Sequence, residues 1–586
     1  VNILQNIIFP SVEQFCDNSL YFNCIKGESI YIKDGVNSYL DIKKNSLISF
    51  ATYYNYFSLN TWLRYCCFSR LKFGIKGNGE VKLSFLSKSH LSPEILINEF
   101  SINMSSEKFH SFDIQILDSR RYDSLYLKVE SKYGASINSM CFYVDDTPVN
   151  DIKMGIVITH FNRKQYVIPA MKRIYNEILS NESFKDKLSL IVVDNSKSIT
   201  KSECYGSIVI PNDNLGGSGG FTKGLLYLKD NGYSHCLFMD DDASCEIESI
   251  KRTFQLLQFA VKEKLAISGS MLYEHSPFTL HEKGAKFKRM ILTSLRNGID
   301  VSDFNKIVLI DSYPEKIDYG AWWFFAFKIS DLTSYPFPFF VKADDMTFGK
   351  MNNFHIISPN GVSVWGEDFG YKDGPLQRYL GTRGIFAASL ITNDSSRFLI
   401  LSIFLKSTMT MLLSYRYSSS MAIYMAMVDF MKGPEYWVDN MNFNDILKSI
   451  SGCINDEKMD VINLYDYDIT HKSLYESRVR KLLRVITLNG LFLPDFMIKD
   501  SYVINEKGGR GIFRIIFRSR HVIYFHSPSS KGYVATLDRR RILKQIWLST
   551  ILSVKFLVRY KSVAKKYAMK SKYLMSEDFW RKIYKK

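Results

Sequence analysis

The chain has 586 residues, with 76 Lys and Arg against 59 Asp and Glu, and a formal charge of +17. Hydrophobic residues make up 46% and charged residues 23%, which fits several globular domains and excludes a largely disordered chain. No run of 18 apolar residues is present to span a bilayer. The opening VNILQNIIFPS lacks the features of a secretory signal, and the nine cysteines form no C-x-x-C pair, so reduced thiols in a cytosolic chain are expected.

Residues 1–148 alternate in short runs such as ESIYIKD, EVKLSFLSK and SLYLKVESK, broken by turn signals such as KGNGE. This pattern predicts an all-β unit, a sandwich or barrel. The polar stretch Asp145–Asp151, with Pro148, reads as a linker. Over 149–392 the pattern changes to alternating strand and helix. KMGIVITHF, KLSLIVVDN, GSIVIPN and HCLFMDDD are continuous apolar runs, as in strands covered on both faces by helices. Residues 393–586 read as helical, with RFLILSIFLKSTMTMLLSYRY and MAIYMAMVDFM as packed helices.

The charge is concentrated at the end. Arg539–Lys586 holds 15 Lys and Arg against Glu577 and Asp578, which is +13 of the +17. No clean apolar stripe accompanies it, so a helix packed partly on the protein is expected. Its charge suits an anionic membrane surface. A solvated tail and nucleic-acid binding are the competing readings, and no groove-reading motif supports the latter.

Two acidic clusters and a glycine cluster carry the chemistry. Asp240, Asp241 and Asp242 end an apolar strand, where open α/β sheets bind ligands. Asp240 and Asp242 can face one side and offer hard oxygen ligands to Mg²⁺ or Mn²⁺; a solvated turn with Asp242 as a helix cap is the alternative. Asp344 and Asp345 follow the aromatic run FPFF and suit either a buried general base or a helix start. In NDNLGGSGGFTKG, Gly216, Gly217, Gly219 and Gly220 bare backbone N–H groups for phosphate, or form a flexible surface loop. The string matches neither a dinucleotide fingerprint nor a Walker A loop. Arg163, Asp194 and Asn195 close the first two strands. Trp322 and Trp323 are either core or a platform for a sugar ring.

Taken together, the ordered motifs TxFNR, VVDN, NLGGSGG, MDDDA, LHEKG, YGAWWF, KADD and GVSVW resemble glycosyltransferase family 2. The likeness is strongest to the galactan-polymerising galactofuranosyltransferases that use UDP-galactofuranose. It implies an N-terminal β-sandwich (1–148), a central Rossmann-like GT-A domain (149–392) and a helical C-terminal domain (393–586). It implies inverting transfer of galactofuranose from a UDP-sugar, with Mn²⁺ or Mg²⁺, to a lipid-linked glycan. The expected localisation is cytoplasmic, at the inner face of the cytoplasmic membrane, with no nucleic-acid partner and homo-oligomerisation left open.

By position, Asp345 would be the base, with Asp344 beside it, and Asp240 and Asp242 the metal carboxylates. Arg163, Asp194, Asn195, Asn214, Gly216, Gly217 and Asp241 would hold the nucleotide. Trp322, Trp323, His281 and Glu282 would line the sugar cleft. Two departures stand out: Gly366 replaces the histidine of the family's VWH, and Gly381 replaces that of its YFHLRN. Use of another UDP-sugar, or a non-catalytic glycan-binding shell, are the other functions the residues allow.

Overall fold

The computed structural model describes all residues except 11–16, 34–37, 117–122, 369, 371, 455, 507–510 and 586. The N-terminal strands form one ten-stranded hydrogen-bonded network. Its spine is the 17-residue strand Lys72–Lys88. The first half of that strand pairs with Ala135–Val144 and His110–Asp113, the second with Ile95–Met104 and Ser124–Ser131. KGNGE, expected as a turn, lies inside this strand. Gly79 takes φ +99°, and the glycines let the neighbouring backbone approach, so the strand continues through.

The central sheet has seven strands: β1 (Met154–His160), β2 (Leu188–Asp194), β3 (Ile208–Pro211), β4 (His235–Asp240), β5 (Leu265–Ser268), β6 (Phe324–Lys328) and β7 (His355–Ile357). Their spatial order is β3-β2-β1-β4-β6-β5-β7. The first four are parallel, and β6 runs antiparallel to both β4 and β5. Helices α1 (Lys164–Ile174), α2 (Gly216–Asp230) and α3 (Asp344–Asn352) lie in the connections.

Alternation along β1 shows how the sheet divides the molecule. Ile156 and Ile158 enter one core, which also holds Phe57, Phe73 and Phe142 of the N-terminal network. Val157 enters the other, with Phe386, Phe430 and Phe556 of the C-terminal helices. Buried polar bonds join the first pair of units as well: Glu248 accepts from the Asn6 amide at 2.7 Å, and Asp311 from Tyr56 and Ser58. The N-terminal and central units therefore share one core.

The C-terminal region is built on α4 (Pro375–Ile391), α5 (Arg397–Leu412), α6 (Tyr417–Lys432) and α8 (Arg539–Leu574), with α7 (Arg478–Ile486) at its surface. It is not purely helical. Asp460–Val461, Lys499–Glu506, Ser519–His526 and Lys531–Thr536 form a four-stranded sheet. SYVINE and RHVIYFH are short, β-branched and aromatic runs that pair with each other in parallel, and RHVIYFH pairs antiparallel with Lys531–Thr536.

The basic tail is also more anchored than its charge suggests. Leu552, Phe556, Val563 and Tyr567 of α8 are buried, and Trp437 donates to the Tyr567 hydroxyl at 2.9 Å. Beyond α8, Trp580 is buried and donates to Pro336 O, Arg581 pairs with Asp230, and the Tyr584 hydroxyl donates to Gly219 O. The end of the chain thus braces α2. Among the described residues, no helix is long and apolar enough to cross a membrane.

Candidate active site

Parallel register brings the strand ends level. His160 of β1 pairs with Asp194 of β2, and Thr159 with Asp240 of β4. Just past β1, Arg163 donates to Asp242 at 2.5 Å and to Asp241 at 3.3 Å. His160 Nδ1 lies 3.3 Å from the other oxygen of Asp241. Burial, then the charges of Asp242, Asp241, Asp344 and Asp345, push the Asp240 carboxyl up to about 8.

Asp194 has a different task. Both its oxygens accept bonds from its own loop, from Ser196, Ser198 and the Ile199 amide. Burial raises its carboxyl, but these donors outweigh that and hold it below the ordinary range. Asn195 accepts from Asn212 and donates to Gly216 O at 3.4 Å, and Asn214 Oδ1 accepts from the Gly216 amide. These three side chains shape the turn that opens α2.

The glycine cluster is not a loop. Gly216–Gly220 form the first turn and more of α2. A Cβ on Gly220 would lie 2.3 Å from Thr159 Cγ2 of β1, so α2 seats directly on the strand. Gly216, at φ +69°, faces Phe340 O at a distance no Cβ tolerates. That carbonyl accepts from the Ser218 amide at 3.2 Å, and Ser218 Oγ donates to Asp344 at 3.3 Å. The glycine cluster is thus locked against the second acidic cluster.

The segment it locks is strained. Phe340, Lys342 and Ala343, none a glycine, hold φ of 73°, 70° and 69° immediately before α3. This delivers Asp344 and Asp345 to a cavity of about 370 Å³, whose walls also include Gly217, Asp240, His281, Glu282, Trp322 and Trp323. Burial, then Asp345, pushes Asp344 up to about 7. Burial raises Asp345 too, but the Met346 amide and the Lys342 charge pull it back, to about 6.

Among the described residues, two buried polar atoms at this cavity have no hydrogen-bond partner: Trp322 Nε1 and Glu282 Oε1. The other Glu282 oxygen accepts from Ser294 at 2.6 Å, and burial pushes its carboxyl up to about 7. Trp323 donates to Gly269 O, and His281 contacts the Tyr273 hydroxyl at 3.0 Å. Gly381 of α4 forms part of the wall, with nothing within 4 Å of where its Cβ would stand.

Eight of the residues singled out in the sequence therefore share this cavity: Gly217, Asp240, His281, Glu282, Trp322, Trp323, Asp344 and Asp345. Arg163, Asp241 and Asp242 adjoin it as an ion-paired group. Asp194, Asn195, Asn214 and Gly216 are not among its lining residues and bond instead within the loops that lead into α2. Sequence reasoning missed Ser218, Lys342 and Lys372, which sit within or beside the quoted motifs without any pattern of their own. Lys372 lies 3.7 Å from Asp242 and 3.1 Å from Glu367.

The donor set fits a divalent ion at Asp240 and Asp242. Their carboxylates are hard ligands, and the raised Asp240 is the group a cation relieves. Among the described residues, no group of three or more His, Cys, Asp or Glu side chains converges, so diphosphate and water would supply the remaining ligands. Of the two acids after Gly366, Glu367 pairs with Lys372, and Asp368 accepts from the Gly370 amide.

No family model matches the chain. A galactofuranosyltransferase GlfT2 of Mycolicibacterium smegmatis is 24% identical over 468 residues, 74% of this chain and 72% of the relative. The chain resembles galactofuranosyltransferases. The Mycobacterium tuberculosis GlfT2 is 22% identical over 428 residues, 68% of this chain and 67% of its own. These relatives bear out the likeness read from the motifs. Among solved structures, GalNAc-T7 with UDP, GalNAc and Mn²⁺ has a TM-score of 0.32 at 9% identity, covering 42% of this chain and 49% of that one. A mannosyltransferase of Pyrobaculum calidifontis with GDP-Man and Mn²⁺ has a TM-score of 0.28 at 12%, covering 53% and 85%.

Proposed function

We propose that the protein is an inverting, GT-A-type galactofuranosyltransferase that moves galactofuranose from UDP-galactofuranose to a hydroxyl of a lipid-linked bacterial glycan. The observation that carries this reading is that one cavity is lined by Asp345, the strand-end carboxylate Asp240, and both Trp322 and Trp323. In this reading Asp345 takes the proton of the acceptor hydroxyl. The freed oxygen attacks the anomeric carbon as the bond to the diphosphate breaks, and one displacement inverts that centre. A divalent ion at Asp240 and Asp242 would neutralise charge on the departing diphosphate.

Arg163, beside the same carboxylates, would bind the nucleotide's phosphates. Trp322 and Trp323 would stack the sugar and exclude water. Glu282 Oε1 and Trp322 Nε1 would find sugar hydroxyls as their missing partners. Membrane-bound acceptors suit α7 better than the tail. Val479, Leu482, Val485 and Ile486 are all exposed there, beside Arg478, Arg480, Lys481 and Arg484.

The test is a donor screen with UDP-galactofuranose, UDP-galactopyranose and UDP-glucose on a galactofuranosyl acceptor. Products are read by mass and by NMR of the linkage. Transfer from the furanose donor alone, with inversion, is expected. UDP binding without transfer from any donor would overturn the enzyme reading in favour of a glycan-binding shell.

A further inference from the structure

The segment after Gly366 brings a cation to the acidic strand end. Gly366 closes the strand Ser363–Gly366, which pairs with Ser244–Cys245, two residues past Asp242. Lys372 then reaches back to Asp242 at 3.7 Å and Glu367 at 3.1 Å. Glu274 is close enough that Lys372, Asp242 and Glu367 all act on its carboxyl. One partly buried ammonium thus pairs with two carboxylates, and Arg163 binds the same Asp242 oxygen.

A divalent ion on Asp242 would compete for that carboxylate with Arg163 and Lys372, which both bind its Oδ2. Ligation of an ion would release both side chains into a site where an anion must arrive with the donor. We propose that Lys372 is a fixed cation for the donor's diphosphate, exchanging Asp242 for a phosphate oxygen when the nucleotide binds. Its place on the loop after Gly366 compensates for the imidazole missing there. The Glu367 ion pair holds the ammonium near the site in the nucleotide-free protein. This inference rests on the proposed nucleotide-sugar reading.

The two directions of the exchange can be measured apart from turnover, by calorimetry on the full-length protein. In Lys372→Met, UDP binding to Mn²⁺-saturated protein should weaken about tenfold, the scale of one lost charge-assisted hydrogen bond. Mn²⁺ binding to the nucleotide-free variant should instead tighten severalfold, because a competing cation has left Asp242. Lys372→Arg should retain most of the UDP affinity, and an unchanged melting temperature in both variants shows that folding is not the cause. UDP affinity equal to wild type in Lys372→Met, with Mn²⁺ or in chelator, would overturn the proposal. Failure of the transferase reading shows separately, as no product from any donor while UDP still binds.

Discussion

Opposed forces act on the Asp345 carboxyl: burial raises it by more than the Met346 amide and the Lys342 charge lower it, leaving it at about 6. A base must be ionised to accept a proton, so turnover should fall as pH drops through about 6 and should level off above it. Lys342→Met removes one lowering influence, so the acidic limb of the kcat profile should move to higher pH. Asp345→Asn should leave UDP binding nearly intact and reduce kcat by roughly 10²–10⁴-fold. Unchanged kcat in that variant would remove Asp345 from the chemistry. The acidic clusters were legible in the sequence because they follow apolar strands or aromatic runs. Lys342 and Lys372 were not, because a lone lysine in a loop has no periodicity to reveal where its charge will lie.

Two helices carry glycines for opposite reasons. In α2 the absent side chains let the helix sit against β1 and the Phe340 carbonyl. Gly220→Val should therefore push α2 off Thr159, cost about 1–3 kcal/mol and weaken UDP binding, measured by denaturant unfolding and calorimetry. In α4, Gly381 meets nothing within 4 Å and opens onto the cavity. Gly381→Ala should stabilise the helix by about 1 kcal/mol. Gly381→Leu should fill the cleft, raising the acceptor KM without changing UDP affinity. The cluster GGSGG suggests a loop to any local rule, since glycine is a poor helix former. The helix forms because its tertiary contacts outweigh that propensity.

At the scale of the molecule, the central sheet is buried between two cores, and residues 580–584 return to brace α2. Trp580→Ala should cost about 3–5 kcal/mol by emptying that contact, and a lowered melting temperature with weakened UDP binding would show that the brace reaches the site. The positive tail is partly consumed by ion pairs on the protein: Arg539, Arg541, Lys570 and Arg581 all pair with carboxylates, Arg581 with Asp230 of α2. Membrane attachment should accordingly respond to α7. Leu482→Asp with Ile486→Asp should reduce sedimentation with anionic vesicles while leaving the melting temperature unchanged. Equal sedimentation of that variant and wild type would place any membrane contact elsewhere.

Strand and helix alternation, the acidic strand end, the KADD pair and the tryptophans were all determined by sequence alone, because each is a local pattern of burial or charge. The change from β to α/β near residue 149 is visible in the same way, yet the core it crosses is continuous. Only the tertiary structure decided that KGNGE runs through a strand, that the glycine cluster is helical, and that residues 460–536 include a sheet. It also decided which candidates line one cavity and which, like Asp194, bond within their own loop. The physical reason is common to these cases. Helix and strand propensities differ by about 1 kcal/mol or less per residue, whereas a close backbone approach or a filled core contact exceeds that, and such contacts join residues far apart in the chain.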